Sequence, residues 1–282
     1  MMANALPKMV NLRKVHISSG PEGIMPVLKI VQATSPRLSG LSLHIPDGFD
    51  MGNLGFHHLS HLAFRTNGEQ PTVFLNAHKN ALRTVHLENP SWSFPAELLN
   101  VRNLTHIHFL GQFPPGSRTI EDIFTNGRQL ECLSLSCLLD TTLSTQFRSL
   151  ASSPVLPFLR DFTFAVSGMT RRAVDRDLFP AIAEFLRDRR ELRTLGLTVP
   201  AGEAVQRQVG FDASLWGALP SLTGLKGLCI TYPRDLAPGL APWLIPRSVI
   251  CLTLDGIAAS GARDMKTFLQ VGGSSPYLST CY

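Results

Sequence analysis

An apolar-x-x-apolar-x-apolar spacing recurs along the chain. It appears as Leu12-Val15-Ile17, Leu38-Leu41-Leu43, Leu59-Leu62-Phe64, Leu82-Val85-Leu87 and Leu104-Ile107-Phe109. It continues as Leu130-Leu133-Leu135, Leu159-Phe162-Phe164, Leu192-Leu195-Leu197, Leu225-Leu228-Ile230 and Val249-Leu252-Leu254, with a stub at Leu278. Successive first positions lie 21 to 33 residues apart. The second and third apolar residues of each triad are two apart, so on a strand they share a face. One such strand cannot bury that face alone; neighbours must stack, which predicts a solenoid. A doubly wound sheet is excluded by length. Its βαβ unit needs roughly 30 or more residues, and the shortest intervals leave room only for a strand and two or three helical turns.

The segments between triads carry helical spacing. Ile24-Met25-Val27-Leu28-Ile30-Val31, Phe94-Leu98-Leu99-Val101, Ile120-Ile123-Phe124 and Phe179-Ile182-Ala183-Phe185-Leu186 each predict an amphipathic helix. Pro26, Pro71, Pro95 and Pro180 stand near the expected helix starts, where a missing N–H costs nothing. Two 33-residue intervals hold extra chain, at 167–177 and 200–214, which is expected to form edge loops. The expected architecture is one α/β solenoid domain over residues 1–282. It has about ten units, a parallel sheet on the concave side and helices on the convex side.

FLNAHKNALRTVHLEN and IFTNGRQLECLSLSC are similar to units of the leucine-rich repeat proteins, and the resemblance extends over essentially the whole chain. The irregular spacing looks most like the repeat region of fungal F-box-type proteins. The Asn or Cys that follows the strand in that family is matched in place by Asn67, and one residue early by Asn89 and Cys137. The resemblance implies a horseshoe, and a non-catalytic protein-recognition module that binds the substrate of an F-box-like ubiquitin ligase. An adaptor or scaffold unrelated to ubiquitin is the alternative. The F-box itself is absent: residues 1–11 cannot hold a helical docking module of about 40 residues, so the ligase adaptor would be engaged only through a missing F-box. Neither end shows a polar cap, which solenoids need; a truncated chain, or an end covered by another domain, is expected.

Composition narrows the classes. Hydrophobic residues are 44% and charged residues 17% of the 282, enough for a core and unlike a disordered chain. No run of about 18 apolar residues predicts a membrane span, and no signal peptide is evident at the start. The five cysteines form no C-x-x-C pair. They read as reduced thiols in an intracellular protein, cytoplasmic or nuclear. Net charge is +5. Part of it sits in Arg171, Arg172, Arg176, Arg187, Arg189, Arg190 and Arg193, with five acids interspersed, which reads as a solvated helical face with local ion pairs. A local balance of +2 without interleaved aromatics argues against nucleic acid.

If the triads face inward, the residues between them form exposed columns. Six of the nine histidines fall there: His16, His44, His61, His86, His106 and His108. Together with Lys14, Arg65, Glu88, Ser134, Asp161 and Thr163 they are the candidate partner-binding residues on the concave face. Neighbouring strands lie about 4.8 Å apart, which would bring His86, His106 and His108 close together. Imidazoles suit zinc, copper or nickel, but only Glu88 and Cys132 are at hand to complete a ligand set, so no metal or cofactor is assigned. Farther along, the columns turn to Ser, Thr, Cys and Gly, which either leaves room for a bulky partner or suits a crowded wall. No catalytic motif is present. A Cys132/His108 nucleophile pair and a phosphate cradle at Val271-Gly272-Gly273-Ser274-Ser275 lack supporting residues, and no enzyme is expected.

Overall fold

Each of the ten triads marks a strand, and each strand starts two residues after the triad's first apolar residue. The computed structural model describes residues 11–18, 20, 23–45, 51, 52, 54–151, 155–170, 173–187, 189–237 and 239–256. The strands are β1 (Lys14–Ser18), β2 (Gly40–Ile45), β3 (His61–Thr66), β4 (Thr84–Ser93), β5 (His106–Gln112), β6 (Cys132–Leu139), β7 (Asp161–Met169), β8 (Thr194–Thr198), β9 (Gly227–Thr231) and β10 (Cys251–Asp255). The chain divides into two units, residues 1–112 and 113–282. In the first, β1 to β5 lie side by side in chain order, all parallel. In the second, β6 to β10 do the same.

The triads are the core of both units. From Leu38 to Ile230, all three residues of all eight triads are buried, the most accessible being Leu159 at 4%. Each such side chain contributes about 1.5–3 kcal/mol by leaving water. The outermost strands differ: Val15 and Ile17 in β1, and Leu254 in β10, are only half-buried.

A backbone device links the rungs. The carbonyl of the residue before a strand accepts two N–H groups from the next rung at eight places, at 2.7–3.2 Å. Arg13, Ser39, Ser60 and Arg83 do this in the first unit, and Glu131, Arg160, Arg193 and Lys226 in the second. Because the backbone carries it, side chains at this position are free to vary.

The connecting segments are α1 (Ile24–Thr34) and α2 (Thr72–His78) in the first unit. The second holds α3 (Thr119–Asn126), α4 (Ser144–Ala151), α5 (Leu178–Leu186), α6 (Glu203–Val209), α7 (Ala213–Trp216) and α8 (Ala241–Leu244). None of the described helices is long and apolar enough to cross a membrane. Phenylalanines fill the space beneath α3 to α6. Phe124 stacks on Phe185 at 4.7 Å, and Phe147 meets Phe124 and Phe164 edge-on at 5.5 Å each.

Three expectations change. The segment from Phe94 to Val101 forms 3-10 turns, Ala96–Leu98 and Val101–Asn103, in place of an α-helix. The cause is β4, which runs on to pair Ser93 with Gln112 across a register shift and leaves too little chain for α-helical turns before β5. The insertion at 200–214 is not a loop. It folds as α6 and α7, burying Val209, Phe211 and Leu215, with Gly210 at φ +66° between them. A Cβ on Gly210 would stand 1.9 Å from the Arg176 carbonyl, so both space and backbone require glycine.

The other insertion, 167–177, extends β7 and then delivers Asp175, which is 4% exposed. Its Oδ2 accepts the N–H groups of Leu143 and Ser144 at 2.7 and 2.9 Å, capping α4. The Asp175 N–H donates to the Gln208 carbonyl in α6 at 2.9 Å. The stub at Leu278, the Gly/Ser turn at 271–275, Cys281, Arg171, Arg172 and Asp188 lie outside the described residues.

Candidate functional site

The twelve candidate residues alternate with the buried triads, and all are exposed or half-buried. Lys14 and His16 stand on β1, His44 on β2, His61 and Arg65 on β3, His86 and Glu88 on β4, and His106 and His108 on β5. In the second unit Ser134 lies on β6, with Asp161 and Thr163 on β7.

Register decides which of them meet. Arg65 pairs laterally with Glu88, and His86 with His108. Glu88 follows His86 by two residues, so both point the same way. One carboxylate therefore collects three basic groups. His86 Nε2–H donates to Glu88 Oε1 at 2.5 Å, and His108 Nε2 lies 3.4 Å from the same oxygen. Arg65 Nε lies 3.4 Å from Oε2. The rings of His86 and His108 lie against each other, tilted by 41°, their centroids 3.9 Å apart. Glu88 is 22% exposed, against 41% and 38% for the histidines and 65% for Arg65.

Burial would raise the Glu88 pKa. The hydrogen bond and charge of His86, then the charges of Arg65 and His108, outweigh it and hold the carboxyl below its usual value. His108 is also held down, by burial first and by His86 second, against the pull of Glu88.

The expected third histidine does not join. His106 pairs laterally with Thr84, and its Nδ1 contacts Thr105 Oγ1 at 2.9 Å. His16 and His61 are likewise held by serines, Ser42 and Ser60, each at 2.8 Å.

Toward the chain start this exposed face sinks into a shallow recess of about 380 Å³. Gly40, Ser42 and Ala63 line it, with His16, His61 and His86 around them. Small residues do not leave space everywhere. Gly196 is buried, and the Thr163 side chain would stand 2.7 Å from a Cβ placed on it, so there the small residue serves a crowded wall.

Cys132, on β6 and paired laterally with Asp161, has its thiol pushed up to about 11 by burial and then by that carboxylate. It stays protonated at neutral pH, which argues against a thiolate nucleophile.

Other polar residues carry structure. Asn67, at the family's position, is exposed, whereas the early Asn89 is buried. Asn89 donates to the Gly68 carbonyl and accepts from the Ser91 N–H. His78, outside the columns, is buried: its Nε2 accepts the Phe56 N–H at 3.1 Å, and its Nδ1–H donates to the Phe74 carbonyl. Arg189 departs from the solvated face expected of its segment. Its guanidinium lies 3.9 Å over the Phe185 ring and donates to the carbonyls of Phe185, Leu156 and Val155. Burial lowers its pKa to about 10. Asp177 and Glu184 pair instead with Arg148 on α4.

No protein-family model matches the chain, and no curated protein gives a significant match.

Proposed function

We propose that the chain is a leucine-rich-repeat-type recognition module with its strands on the concave side of a horseshoe. In this reading it binds a protein partner on the exposed face of β1 to β5, without chemistry. The supporting observation is the recess. Its small floor residues sit on a ladder whose opposite face is sealed by triads, so a projecting side chain of a partner can enter without the sheet deforming. Around it Lys14, His16, His61 and His86 offer a cation and imidazole donors, which suits an acidic or hydrogen-bonding partner segment. The resemblance to fungal F-box-type repeats favours a substrate-binding role in a ubiquitin ligase. An adaptor or scaffold unrelated to ubiquitin is the second reading.

The test is proximity labelling in the native cell with the full-length protein and an Ala63→Arg variant that fills the recess. The expected result is a partner set labelled by the wild type and lost with Ala63→Arg, at equal abundance and equal melting temperature. Identical labelling by both refutes the surface. Ligase subunits among the labelled proteins support the ubiquitin role, and their consistent absence supports the scaffold.

A further inference from the structure

Among the described residues, His86, Glu88 and His108 are a group whose donor atoms lie close enough to hold a metal: a ring nitrogen of each histidine and a carboxylate oxygen fall within 4.8 Å of one another. We propose that these three residues form a binding site for one divalent transition-metal ion, zinc foremost. It does not rest on the proposed partner, although His86 also borders the recess.

The scaffold is suited to the task. His86 and Glu88 project from one strand at i and i+2, and His108 is the lateral pair of His86 on the next strand. Backbone hydrogen bonds hold all three Cα positions, so binding has to order only side-chain torsions. Two imidazole nitrogens and one oxygen are the donor set of zinc, copper(II) or nickel(II), not of magnesium or calcium. Three protein ligands with a half-exposed mouth leave a fourth position for water or an incoming group, as in open zinc sites.

The distances fit with a small adjustment. With metal–ligand bonds of about 2.0–2.1 Å, tetrahedral donors stand roughly 3.3–3.4 Å apart. His108 Nε2 and Glu88 Oε1 are already 3.4 Å apart. His86 Nε2 and Glu88 Oε1 are 2.5 Å apart and must open by about 0.9 Å when the metal displaces the hydrogen-bonding proton. Arg65 holds the other carboxylate oxygen and so orients the ligand. Its guanidinium is mostly exposed and can swing out to relieve repulsion from the ion.

The experiment uses the full chain, stripped by chelator dialysis and titrated with Zn²⁺ against a chromophoric chelator, then with Co²⁺ followed by visible absorption. The expected result is one tight Zn²⁺ per chain and a Co²⁺ spectrum typical of low coordination number. His108→Ala and Glu88→Gln each weaken binding by at least the roughly 10- to 100-fold that loss of even an outer partner causes. His106→Ala, on the same strand and outside the group, binds as the wild type does. Far-UV circular dichroism identifies any variant that fails to fold, and Glu88→Gln then decides alone. Wild-type uptake no tighter than that of a His86→Ala/His108→Ala double variant, or loss on His106→Ala equal to that on His108→Ala, overturns the assignment.

Discussion

Asp175 offers the sharpest test of how the second unit is held together. Its carboxylate is buried and accepts the Leu143 and Ser144 N–H groups, which are themselves buried at the start of α4. Replacing it with alanine removes the one oxygen that serves both donors and admits no strong substitute. A hydrogen bond to a charged group is worth about 1.5–3 kcal/mol, and an abandoned buried donor costs about 1–3 kcal/mol. Two donors on one carboxylate, less some relief by entering water, give a loss of about 3 kcal/mol for Asp175→Ala. Asparagine keeps one acceptor of similar shape without the charge, so Asp175→Asn is expected to lose roughly half as much. Asp177→Ala is the control. Its partner Arg148 lies 3.3 Å away, but Asp177 is 61% exposed, and such pairs contribute about 0–1 kcal/mol. Equilibrium urea unfolding followed by circular dichroism reads the series. With a urea m-value of about 1–3 kcal/mol per molar, Asp175→Ala shifts the midpoint down by roughly 1–3 M. An Asp175→Ala midpoint no lower than that of Asp177→Ala would refute the capping role and, with it, the structural importance of the first insertion.

Three further outcomes follow from the same geometry. Gly210→Ala, which places a Cβ 1.9 Å from the Arg176 carbonyl at a positive φ, is expected to cost about 2 kcal/mol or more in thermal or urea unfolding, whereas a helix-propensity argument alone predicts stabilisation. His78→Ala leaves the Phe56 N–H and Phe74 carbonyl without their side-chain partner and opens a void, so a loss of about 2–4 kcal/mol is expected in the same assay; a change under about 0.5 kcal/mol would show that water replaces the ring. The Cys132 thiol, raised from 9.0 to about 11, holds roughly fifty-fold less thiolate at pH 9 than an unshifted thiol. Since its neutral form is favoured in the folded state, its contribution to stability is whole below pH 9 and is lost as pH rises toward 11. Peptide-resolved alkylation across pH 8–11 should show Cys132 lagging its rate in the urea-unfolded chain, and Asp161→Asn should speed it; an unchanged rate in Asp161→Asn removes the carboxylate as a cause.

The triads and the face each residue takes were legible in the sequence because their information is local. A side-chain period of two, recurring behind an apolar residue (leucine in nine rungs, Val249 in the tenth) two residues before each strand, sorts residues between the two faces without reference to the partner strand. That reading placed a strand at each of the ten triads and the buried residues of the eight inner rungs. It also put His86, Glu88 and His108 on the exposed face. Tertiary structure alone decided the rest. Which exposed residues touch depends on register between strands about twenty residues apart in the chain: a lateral step pairs His86 with His108 and leaves His106 beside Thr84. The run-on of β4 displaced an α-helix that local spacing favoured, and the second insertion became α6 and α7 because Val209, Phe211 and Leu215 found apolar surface to cover. Asp175, His78 and Arg189 read as ordinary polar residues until folding carried them out of water to backbone groups distant in sequence or held in neighbouring turns. Periodicity reports which side of the sheet a residue faces; what it meets there is set by the packing of neighbouring rungs, which the order of residues along one strand does not encode.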